Sequence, residues 1–69
     1  MRTIEFIKFL ASESFGHCVI INGIAFLYEA RVERENDVFY QFLNTRTLKT
    51  KIFKMSDSKL MKSEVLVMF

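Results

Sequence analysis

Apolar and polar positions set two rhythms along the chain. Over residues 3–14, Ile4, Phe6, Ile7, Phe9, Leu10 and Ala11 fill a wide arc of a helical wheel. Arg2, Glu5, Lys8 and Ser12 fill most of the rest. A 3.6-residue period of this kind predicts an amphipathic helix over 3–14, with Gly16 placed for a left-handed C-terminal cap. A strand is the rival reading, because the phenylalanines and isoleucines here also suit sheets.

From residue 17 the period shortens to two. The stretch HCVIINGIAFLYEARVER sets Asn22-Gly23 between two apolar runs. That is a strong hairpin signal, since a type I′ turn needs positive φ at both central residues. It pairs Ile21 with Ile24, Val19 with Phe26 and His17 with Tyr28, while Cys18 and Leu27 share the other face. For the next turn, a two-residue loop at Asn36-Asp37 sets Arg31 opposite Phe42. A three-residue loop over Glu35–Asp37 pairs Val32 with Tyr40 and Ala30 with Phe42, which gathers the apolar groups and is preferred. The same test favours a loop over Asn44–Arg46, pairing Phe42 with Leu48, Tyr40 with Thr50 and Val38 with Ile52.

The expected fold is therefore α+β: an N-terminal helix packed on a four- to five-stranded antiparallel meander, in a single domain over residues 1–69. The core face would hold Val19, Ile21, Ile24, Phe26, Tyr28, Ala30, Val32, Val38, Tyr40, Phe42, Leu48 and Ile52. The segment MSDSKLMKS reads as a polar connector with room for one helical turn. EVLVMF reads as a short strand with a free edge, which makes Leu66 and Met68 candidates for a dimer or partner interface.

Size sharpens the expectation of a partner. A chain of 69 residues buries only about 60% of its unfolded surface, so its core is marginal. With one cysteine it cannot close an internal disulfide, and one His with one Cys falls short of a structural zinc site. Association is the support left open, as a homodimer or with a larger protein. No apolar run reaches the length of a membrane span. The N-terminal MRTIEFIKFLASE carries Glu5 and Lys8 inside its apolar part, so it reads as structure and not as a secretion signal. The lone thiol suits a reducing, cytoplasmic setting.

Charge is segregated. Residues 1–45 carry four basic and six acidic side chains, whereas residues 46–69 carry six basic and two acidic. On the expected register the second sheet face combines Arg31, Phe39, Gln41, Lys49, Lys51 and Phe53, with Arg46 at its rim. Rings that stack on bases beside cations that neutralise phosphates form a mechanism for holding single-stranded RNA or DNA. The same face can equally be a subunit contact or a solvated sheet surface. The glycine-containing aromatic motif of RNA-recognition sheets is missing.

Little points to catalysis, and no cofactor is expected. His17 and Cys18 are sequence neighbours, so on a strand they face opposite ways. Glu29, Arg31 and Glu33 alternate as a surface charge ladder. The acids Glu33, Glu35 and Asp37 suit a solvated turn better than a calcium loop. Two functional classes follow. One is a small non-enzymatic nucleic-acid-binding accessory protein. The other is a protein-binding inhibitor or adaptor acting through a sheet edge or dimer surface. The Phe-, Ile-, Lys- and Met-rich composition resembles that of AT-rich genomes, as in phage accessory proteins.

Overall fold

The computed structural model describes residues 2–68. Met1 and Phe69, the outer ends of the first and last apolar stretches, lie outside the described residues. In chain order the elements are β1 (Arg2–Glu5), α1 (Phe6–Ala11), β2 (Cys18–Ile21), β3 (Ile24–Arg34), β4 (Asp37–Asn44), β5 (Thr50–Lys54), α2 (Ser58–Met61) and β6 (Glu64–Val67). The six strands form one antiparallel sheet in the order β1-β6-β2-β3-β4-β5. The expected meander is its β2–β5 half. Among the described residues no helix is long and apolar enough to cross a membrane.

The N-terminal segment departs from the expected single helix. Residues Arg2–Glu5 extend and pair with β6, and the helix is confined to Phe6–Ala11. The helical period over residues 4–11 is real, but β6 offers a ladder of backbone hydrogen bonds that the first residues take instead. The hand-over is pinned where the Phe6 N–H donates to the Ser63 carbonyl at 2.8 Å. The helix ends at Ser12, and Glu13, not Gly16, takes the left-handed position after it, with φ 52°. Gly16, also left-handed at φ 83°, donates its N–H to the Tyr28 carbonyl at 2.8 Å and leads into β2.

The Asn22-Gly23 turn is as expected. Both residues have positive φ, and Ile21 pairs with Ile24, Val19 with Phe26 and Cys18 with Leu27. The β3–β4 turn is one residue tighter than expected: Arg34 pairs with Asp37, Glu33 with Val38, Val32 with Phe39 and Arg31 with Tyr40. That register alone would turn Tyr28 away from Phe42. A bulge at Glu29 inserts one unpaired residue and restores Tyr28 opposite Phe42. As a consequence Ala30 and Val32 lie on the face opposite Tyr28, and Arg31 and Glu33 lie on its side.

The β4–β5 connection is longer than expected and displaces the register by three residues, an odd shift that reverses every side chain of β5. The Asn44 side-chain oxygen accepts from the Arg46 and Thr47 N–H groups, at 2.9 and 3.2 Å. Leu48 then turns left-handed at φ 61°, and Asn44 N–H meets the Lys49 carbonyl at 2.9 Å. Tyr40 therefore pairs with Phe53 and Gln41 with Ile52. Phe53 enters the core, whereas Ile52 is half exposed and Leu48 lies in the open loop.

Both helices cover one face. Phe6, Phe9 and Leu10 of α1 and Met61 of α2 join Val19, Phe26, Tyr28, Tyr40, Phe42, Phe53, Val65 and Val67 in one buried cluster. Its centre is aromatic. Tyr28 stacks on Phe42 at 4.8 Å, and Phe53 meets Phe6, Phe26 and Phe42 edge-on at 5.6, 5.9 and 5.4 Å. Such pairs add to the burial of their area. Asp57 caps α2, its carboxylate accepting from the Leu60 N–H at 3.2 Å.

Candidate functional site

Strand alternation assigns the second face of the sheet, which neither α1 nor α2 covers. From the β1 side it presents Thr3, Leu66 and Met68, then Cys18 and Ile20, then Ala25 and Leu27, and then Leu43. Beyond the bulge it continues with Ala30, Val32, Phe39, Gln41 and Ile52. Most of these side chains are half-buried, shielded by one another, while Met68 and Ile52 stand 45% and 50% exposed. An open face of an antiparallel sheet is ordinarily polar. From β6 to β5 this one is mainly apolar, which is the composition of a surface that another surface covers.

Charged groups frame it. Glu29, the bulge residue, accepts a hydrogen bond from Gln41 Nε2 at 3.4 Å, which places it on this face. Arg34 lies beyond Val32 and lines a shallow depression with Val32, Phe39, Gln41 and Ile52. Lys54 pairs across the strands with Phe39 and holds its Nζ 5.8 Å from that ring. At the far corner Glu5 and Glu64 pair with each other.

The residues expected to hold nucleic acid do not share this surface. Phe39 and Gln41 lie on the open face. Arg31, Lys51 and Phe53 lie on the helix side, because the bulge and the longer loop reversed their strands. Phe53 is buried, so it is not a stacking platform. Lys51 is exposed at the β5 edge, with its Nζ 5.5 Å from the Phe53 ring. Arg46 and Lys49 belong to the connection before β5. The cation opposite Phe39 is Lys54, not Lys51. Leu66 and Met68 do lie on the open face, but β6 is no free edge: it is paired with β1 on one side and β2 on the other. The residues that sequence reasoning missed are Val32, Arg34, Ile52 and Lys54, whose side depends on loop parity and one bulge.

On the helix side Arg31 Nη1 donates to Glu33 Oε1 at 2.7 Å. Desolvation lowers the Arg31 pKa, but the Glu33 hydrogen bond and charge outweigh it and hold the guanidinium above its ordinary value. Tyr28 is wholly buried, and its hydroxyl meets no hydrogen-bond partner among the described residues. Burial first, and then the neighbouring Tyr40, push its pKa up to about 12. His17 is exposed, its backbone carbonyl accepting from the Tyr28 N–H at 3.1 Å. Cys18 is half-buried on the open face. Among the described residues no three His, Cys, Asp or Glu side chains gather in a way that could hold a metal ion.

No protein-family model matches this chain, and no curated protein or solved structure matches it.

Proposed function

We propose that this chain is a non-catalytic protein-interaction module, an adaptor or inhibitor that works by pairing the helix-free face of its sheet with another protein surface. The observation that carries this reading is the apolar character of that face, from Leu66 and Ile20 through Leu27 to Phe39 and Ile52. The helix-covered face already holds the folding core. A second apolar face is therefore surplus to folding, and its burial against a partner stabilises at about 25 cal/mol per Å² of apolar area before association costs.

Sedimentation velocity and binding of an environment-sensitive apolar dye test it together. The wild-type chain should associate beyond its 8.2 kDa mass or bind the dye strongly. Leu27→Lys, placed at the middle of the face, should abolish either behaviour while the far-UV spectrum is unchanged. A chain that neither associates nor binds dye refutes the reading, and so does association that Leu27→Lys leaves intact.

Nucleic-acid binding is a second reading. The observation that favours it is Lys54 held over Phe39 beside Gln41 and Arg34. Fluorescence anisotropy with a labelled single-stranded RNA at two salt concentrations tests it. Phe39→Ala should weaken binding by about 1–3 kcal/mol if the ring stacks on a base. Absence of binding at low salt removes this reading.

A further inference from the structure

Charges on the open face are not scattered. At its β3–β5 end Val32, Phe39 and Ile52 form an apolar centre. Glu29 lies on one side of that centre, Lys54 stands beside Phe39 on β5, and Arg34 lies at the far end with Asp37 as its cross-strand neighbour. Along β3, Glu29 and Arg34 are separated by about 16 Å at ordinary strand rise. The arrangement runs negative, apolar, net positive across one patch, two cations outweighing Asp37 at the second end. None of the three charged side chains forms an ion pair among the described residues: Glu29 has only the long Gln41 bond, and Lys54 only the Phe39 ring.

Such a patch is complementary to itself. We propose that it is the contact between two copies of this chain, related by a two-fold axis that lies in the contact and passes over the Val32–Phe39 pair. The axis runs across the line from Glu29 to the cations. Rotation about it sets Val32, Phe39 and Ile52 of one copy on those of the other. It also sets each Glu29 carboxylate against Arg34 and Lys54 of the second copy, twice over by symmetry. Without that pairing a facing surface would strip water from a lone carboxylate at the patch rim, which is costly. A copy of the same patch supplies the compensating cations. The contact uses part of the face, so Ile20 and Leu66 at the β1–β6–β2 end remain open for a different protein. The inference rests on the proposed function in taking the face as an association surface, and it names one occupant of one half.

Charge exchange tests it. Three variants are prepared and their folding is checked by far-UV spectra and melting: Glu29→Lys, the double variant Arg34→Glu with Lys54→Glu, and all three changes in one chain. The altered side chains are exposed, so stability should move little. In sedimentation equilibrium the wild type should be a dimer. Glu29→Lys and the double variant, each alone, should dimerise at least tenfold more weakly, since each sets like charges together. Mixing the two should restore a dimer containing one of each, and the triple variant should dimerise with itself. Charge variants that associate as the wild type does, or a mixture that stays monomeric, overturn the arrangement. A wild type that stays monomeric overturns it as well. If that monomer still binds the apolar dye in a Leu27-dependent way, the proposed function stands and only the dimer falls.

Discussion

Truncating Phe53 and Ile52 in turn weighs the β5 register directly, because the two side chains are neighbours on opposite faces. Phe53 is 8% exposed and touches three phenylalanine rings at 5.4–5.9 Å. Removing a buried phenyl ring costs about 3–5 kcal/mol, as lost transfer energy plus the cavity left behind. A chain of 69 residues has about 3–10 kcal/mol of stability in all. Phe53→Ala should therefore remove from about a third to all of that stability. Ile52 is 50% exposed and packs against the open face alone, so Ile52→Ala should cost no more than about 1 kcal/mol. Urea titration followed by far-UV circular dichroism reads both. Ile52 also lies in the proposed dimer contact, so the titration is run at the lowest workable concentration, where association contributes least. Equal costs, or a larger cost at Ile52, would refute the register and with it the assignment of both faces.

Two other perturbations test the core and the first hairpin. Tyr28→Phe removes a buried hydroxyl that has no partner among the described residues, so it should be neutral or stabilising by about 1 kcal/mol at pH 7, and a loss above that size counts against the buried placement. The same change isolates an alkaline transition. The folded Tyr28 pKa of about 12 lies above the ordinary 10, so the unfolded chain releases the proton first. The stability linked to this group is present below pH 10 and is lost as pH rises toward 12, by a few kcal/mol at most. Melting curves between pH 9 and 12 should fall less steeply for Tyr28→Phe than for the wild type. Gly23→Ala should cost about 1 kcal/mol in a thermal melt: no atom lies within 4 Å of the added methyl, but the φ of 79° is one that alanine adopts poorly. A neutral result would mean that the turn is not the left-handed one described.

Local chemistry made the first hairpin legible in advance. Asn22-Gly23 encodes its own positive φ values, and a two-residue turn leaves one register for β2 and β3. Alternation likewise marked Val38, Tyr40 and Phe42 as one face of β4, and that face is buried or half-buried. The short strand at Glu64–Val67 and the turn of helix before it also follow from composition and pattern.

Three features were decided only by the assembled structure, and each has a non-local cause. Arg2–Glu5 became a strand because β6, some sixty residues away in sequence, supplied a partner for its backbone groups. The bulge at Glu29 shifts a register by one residue and the longer Asn44–Lys49 connection shifts another by three, and any odd shift exchanges the two faces of a strand. That is how Phe53 moved from an expected binding surface into the core, while Val32 and Ile52 moved out of the expected core onto the open face. Residue type sets which side chains favour burial. The parity of loops and bulges, settled by packing Phe6, Phe26, Phe42 and Phe53 together, sets which of them obtain it.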